Sequence, residues 1–196
     1  MSNPLVEILE KVSFRKTVFA AGILVPRSVE VRSPSCLDAW MLGCLEEAVS
    51  DPSQAVVVLP ANEYINDQCI NDPKSALGAF VQSKFPGKTK EFETLIQLAL
   101  TGKTAAKVTN GVNTINAYGL GTTVYLDRPL NEGHKILIAA ATTDRAAEGL
   151  RGDISALIAI VRAANGAAKE RRMAEVILPL IGAGHGSICP GCALLV

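Results

Sequence analysis

Ala55 to Leu59, "AVVVL", narrows the fold more than any other stretch of the chain. A run containing three consecutive valines and no polar alternation does not suit a strand with one wet face. It belongs to a central strand covered on both sides. Such a strand needs helices on each face of its sheet, and the sequence supplies candidates. Pro73 opens a predicted helix over Lys74 to Phe85, and a second follows over Lys90 to Leu100. Asp153 caps a third, with Leu157, Ile160, Val161 and Ala164 inward and Asn165-Gly166 as its stop. Thr122 to Leu126, Lys135 to Ala141 and Val176 to Ile181 read as further strands. Strands alternating with helices of this length imply a sheet, at least partly parallel, sandwiched between helices.

Upstream, Leu5, Ile8, Leu9 and Val12 share one helical face, and Ser28 to Arg32 reads as an edge strand. Ser35 is a candidate N-cap for a helix whose stripe is Leu37, Trp40, Met41, Cys44, Leu45 and Ala48. These segments suggest an N-terminal helical extension over residues 1–27 and one α/β domain over residues 28–196.

The 196 residues carry 19 basic and 19 acidic side chains, so no global field recruits nucleic acid or an anionic membrane. No apolar run is long enough to span a bilayer; Val18 to Val25 falls well short. Five cysteines without regular spacing suggest reduced thiols in a cytoplasmic setting. Cys189-Pro-Gly-Cys192 lacks a second ligand pair, and with two histidines in the chain no metal site is expected. Mean hydropathy is positive, which allows a homo-oligomer with a covered apolar surface.

Open α/β sheets bind ligands where loops diverge at the carboxyl ends of their strands. Three loops compete for that place: Pro60 to Asp72, Thr142 to Gly152 and Gly182 to Cys189. In the last, the amides of Gly182, Ala183, Gly184, His185 and Gly186 can approach a diphosphate closely, and a helix beginning at Pro190 would add its positive end. The spacing is G-x-G-x-G rather than the dinucleotide G-x-G-x-x-G, and a glycine loop also serves for chain reversal alone. Asn62 can donate and accept at the mouth of the "AVVVL" strand; equally, it can start an Asx-turn. His185 lines this region without an identifiable carboxylate partner, and Glu63 and Asp144 are candidate acids. "LTGKT" at 100–104 is not a phosphate loop, because the required first glycine would fall at Gln97 inside a helical pattern.

Taken together, "VVVLPANEYI" at 56–65 and "VILPLIGAGHGSI" at 176–188 resemble the two signatures of macrodomains. "YGLGTTVYL", "HKILIAAATT" and "ISALIAIVRAANG" are most similar to a divergent bacterial group, some of it associated with TIR-linked antiphage systems of the Thoeris kind. The resemblance covers roughly residues 28–196 and implies a three-layer α/β/α macrodomain-like fold with a central mixed, largely parallel sheet. It implies a small-molecule nucleotide ligand, ADP-ribose or a derived signal nucleotide, with no other cofactor and with a membrane-tethered full-length protein allowed. Asn62, with Ala61 behind it and Glu63 beside it, would orient the distal ribose. Gly182 to Gly186 would hold the diphosphate, helped by Thr142 and Thr143.

Three departures qualify this. Hydrolytic macrodomains continue after the asparagine with glycines, whereas "NEYINDQCIND" has none, which argues for a non-catalytic sensor without catalytic residues. An ADP-ribosyl hydrolase and a scaffold that binds no nucleotide are the competing expectations. The adenine-holding "GDI" turn has no counterpart near Val31, and Asp153 comes too late for that role. The eight residues after Ile188 leave little room for a closing helix, so an excised or shortened domain is expected.

Overall fold

The computed structural model describes residues 18–20, 23–25, 28–32, 38–42, 53–110, 113–145, 149–179, 181–182 and 187–188. The chain divides into two compact units, residues 1–50 and 51–196. The expected boundary after residue 27 therefore lies inside the first unit.

In the first unit, strands β1 (Val18–Ala20) and β2 (Ile23–Val25) pair antiparallel. So do β3 (Ser28–Arg32) and β4 (Asp38–Leu42). The second pair corrects the helix expected from Ser35: Met41 stands opposite Val29, and Trp40 opposite Glu30. A continuous apolar run such as "AWML" has no period that separates helix from strand, and the ladder offered by β3 decides. Leu5 to Val12 lies outside the described residues.

The second unit is built on β5 (Ala55–Asn62), whose first five residues are completely buried. Its neighbours are β9 (Lys135–Arg145) and β11 (Glu175–Ile177), both parallel to it. Antiparallel to β9 run β8 (Thr123–Asp127), along its first half, and β10 (Gly149–Gly152), along its end. The sheet is thus mixed, and β5, β9 and β11, three of its five described strands, run the same way.

Helix α4 (Ile154–Glu170) covers one face, where Leu157, Ile160, Ala164 and Ala168 pack on Val56, Val58, Leu137, Ala139 and Ala141. Because side chains alternate along a strand, Val57, Leu59, Ile136 and Ile138 point the other way. They are buried too. Helices α2 (Ala76–Lys84), packed on β5, and α3 (Thr89–Leu100), packed on β8, cover that face. The expected three-layer architecture is present.

Several local expectations need correction. Helix α4 runs past Asn165-Gly166, because Ala167 and Ala168 continue the buried stripe and packing outweighs a glycine's propensity cost of about 1 kcal/mol. It ends at Glu170; just beyond, Arg172 has a left-handed φ of 54°, and the Met173 amide donates back to the Ala168 carbonyl at 2.8 Å. Beside that end the partly exposed Arg171 lays its guanidinium 3.9 Å from the centre of the Tyr125 ring. The short helix α1 (Asp67–Asn71) falls in the expected polar loop. β6 (Ala105–Asn110) and β7 (Asn113–Tyr118), absent from the sequence expectations, pair antiparallel.

Asp153 does cap α4. Its Oδ1 accepts from the amides of Ser155, at 2.7 Å, and Ala156, at 3.1 Å, and from the Ser155 hydroxyl. These bonds, the Ser155 hydroxyl foremost, hold its carboxyl below the usual range. A depressed folded pKa adds stability that is fully present above the unfolded value of about 3.9 and fades as pH falls through the lower folded one. Asp153→Ala should therefore lower the melting temperature at pH 7, with the gap closing as the buffer is taken below pH ~4. A gap of constant size across that range would mean the carboxylate charge is irrelevant to the cap.

Candidate functional site

β5 carries "PAN" at its carboxyl end, and there the ladder to β9 breaks. Ala61 pairs with Ala140 but Asn62 with Thr142, a bulge of one residue. The bulge turns Asn62 and Thr142 toward a cleft of about 400 Å³. Their exposures are 7% and 8%, and they are the buried polar residues among those described.

Asn62 adopts the Asx-turn that its type allows. Its Oδ1 accepts from the amides of Tyr64, at 3.1 Å, and Ile65, at 3.2 Å. Because backbone N–H groups can only donate, the side-chain oxygen must face the chain. The other end, Nδ2, has no partner among the described residues, and neither does Thr142 Oγ1. The turn supports strain: Ile65 is β-branched and completely buried, yet has φ of 44°.

Four elements form the walls. Pro60, Ala61 and Asn62 come from β5; Thr142 and Asp144 from β9, with Leu150 of β10; and Pro179 and Gly182 from the chain after β11. The fourth wall is the α1–α2 corner, with Gln68, Cys69, Asp72, Lys74, Ser75 and Ala76. Ser75 Oγ donates to the Cys69 carbonyl at 2.6 Å and accepts from the Gly78 amide at 2.8 Å, so it both caps α2 and ties the corner together. Burial pushes the Cys69 thiol pKa up, which keeps it protonated. Burial also raises the Tyr64 phenol, with the Glu63 and Asp144 carboxylates adding to the effect.

Of the residues singled out in sequence, Ala61, Asn62, Thr142, Asp144 and Gly182 meet at this cleft. Gly182 has φ of 76°, and its carbonyl accepts from the Ile188 amide at 3.0 Å, which pins together the two ends of the glycine loop. Ala183, Gly184, His185 and Gly186 lie outside the described residues, as do Pro190 and the Cys189–Cys192 pair.

Glu63 and Thr143 are not brought to the cleft. Glu63 Oε1 accepts from the Asp144 amide at 3.1 Å, while its backbone bridges Thr142 and Tyr118. Thr143 alternates to the opposite side of β9 from Thr142 and Asp144, and its hydroxyl donates to the Arg151 carbonyl at 3.4 Å. The α1–α2 corner was missed in sequence. Ser75 was the available signal, a serine cap just before a helix that starts at Ala76, two residues later than the expected Lys74.

Among the described residues, no His, Cys, Asp or Glu cluster could hold a metal ion, and no helix is long and apolar enough to cross a membrane. No curated protein and no solved structure gives a significant match to the chain. A family profile described as "Thoeris protein ThsA, Macro domain" matches residues 49–192. The match begins beside the start of the second compact unit and contains the bulge, the α1–α2 corner and the glycine loop. With most of its length covered by that profile, the chain belongs to the macro-domain family of the Thoeris antiphage protein ThsA.

Proposed function

We propose that this macro domain binds ADP-ribose, or a signal nucleotide derived from it, as a non-catalytic sensor in antiphage defence. The observation that carries the reading is the pair of buried polar side chains at the end of the sheet. Asn62 Nδ2 and Thr142 Oγ1 border one cleft and have no partner among the described residues. Neither atom is among the fully enclosed unsatisfied ones, so both are open to the cleft, where a polar ligand could bond to them. A hollow of about 400 Å³ lies within the range of small-molecule sites. Gly182 adds main chain to another wall of the cleft, its missing Cβ leaving room for the Ile188 side chain.

Binding without turnover is favoured by the asparagine itself. A hydrolytic role would use Asn62 to orient a water, but its oxygen is committed to the Tyr64 and Ile65 amides. Helix α1 occupies the segment after it, where the hydrolases have glycines.

Titration calorimetry with ADP-ribose and its cyclic and amino-acid-linked relatives tests the reading. At a ligand concentration of 100 Kd, binding to the folded state adds about 2.7 kcal/mol and should raise the melting temperature by about 5–10 °C. Neither heat nor a thermal shift across that panel would leave the scaffold expectation in its place. Release of ADP-ribose from a modified protein or nucleic acid would instead establish a hydrolase.

A further inference from the structure

The bulge in β5 leaves the Asn62 amide outside the regular strand ladder, and its acceptor is a sulfur. Asn62 N–H donates to Cys69 Sγ at 3.5 Å, a normal length for the larger sulfur atom. Cys69 is 9% exposed, sits on α1 and lines the cleft beside Asn62. It is itself held at both ends: its amide donates to Asn66 O at 3.2 Å, and its carbonyl accepts from Ser75 Oγ at 2.6 Å. The Asn62 carbonyl also accepts from the Ile65 amide, at 3.2 Å. Asn62 is thus gripped through N, O and Oδ1, with only Nδ2 left over.

We propose that Cys69 is a positioning residue of the ligand site, its sulfur holding the bulged Asn62 amide so that Nδ2 is aimed into the cleft. The proposal rests on the reading of this cleft as a nucleotide site. The sulfur acts as an acceptor and a fixed wall, not as a nucleophile; a buried, protonated thiol is inert. The brace also supports the strained Ile65 turn, since Asn62 begins that turn and Cys69 holds the amide that anchors it.

Two measurements on the whole chain test this, at a temperature well below each variant's melting point. In the free protein, hydrogen exchange at the Asn62 amide is followed by NMR in wild type, Cys69→Ala and Cys69→Ser. Calorimetry with ADP-ribose is run on the same three proteins. Cys69→Ala should lose about tenfold in Asn62 protection and about tenfold in affinity, because it removes the acceptor. Cys69→Ser, which keeps an acceptor, should recover most of both. Wild-type exchange at Asn62 in Cys69→Ala overturns the brace, whatever the ligand result. So does a serine variant as weak as alanine in both readouts, which would reduce Cys69 to apolar filler. If wild type binds no ADP-ribose while the alanine variant still loses Asn62 protection, the nucleotide reading falls and the brace survives.

Discussion

Gly78→Ala should destabilise the protein by about 3 kcal/mol or more and lower its melting temperature by about 6–12 °C. Gly78 is buried in the first turn of α2, where the chain comes back against α1. A Cβ there would overlap the Asp72 carbonyl oxygen and lie 2.8 Å from its carbon and 2.9 Å from the Cys69 carbonyl oxygen. All three are backbone atoms, so no rotamer change relieves the overlap; the corner itself must move. The same movement would strain the Gly78 N–H to Ser75 Oγ bond that caps α2. It would also displace Cys69, Asp72 and Ser75 from the cleft wall, so ligand binding should fall with stability. Gly166→Ala is the matching control. It lies exposed on α4 with nothing within 4 Å of the added carbon, and should gain about 0.5–1 kcal/mol. Thermal melts of the two variants side by side make the comparison. A Gly78→Ala melt equal to wild type would show that the corner yields freely, and the packing argument for the wall would be lost.

The second large effect is on binding. Asn62→Asp should weaken ADP-ribose binding at least about a hundredfold while the domain stays folded. A carboxylate can accept from the Tyr64 and Ile65 amides as the asparagine oxygen does, so the Asx-turn is retained. At the cleft end the exchange replaces a donor with a negatively charged acceptor, which repels a diphosphate and cannot donate to a ribose oxygen. Asn62→Ala should behave differently, with loss of binding and of stability together. The Tyr64 amide would lose its acceptor, and the left-handed Ile65 its support, at about 1–3 kcal/mol. Calorimetry and melting on both variants separate the two functions of one side chain. Wild-type affinity in Asn62→Asp would remove Nδ2 from the site and take the binding argument with it.

Legibility tracked how local each cause was. "AVVVL" announced a doubly covered strand because burial on both faces demands continuous apolar residues, and β5 is that strand. Asp153 was readable as a cap because it acts on amides two and three residues ahead. The apolar run of Lys135 to Ala141 marks a strand in the sequence, but its extension to Arg145 has no local signal, because that end is stabilised by β10 pairing back onto it. "DAWML" failed for the related reason that its conformation is settled by β3.

The site divides along the same line. Residue type and order determined that an asparagine ends a central strand and that a glycine loop follows a late one; from these the fold class and the family resemblance could be drawn. Only the tertiary structure decided which neighbours share the cleft. One residue of bulge sets Asn62 against Thr142, and the alternation of β9 then admits Asp144 and turns Thr143 away. A carbonyl that tolerates no Cβ at Gly78 brings Cys69 and Ser75 alongside. Composition and periodicity act over a few residues, whereas side-chain direction at a strand end depends on pairing partners some eighty positions away.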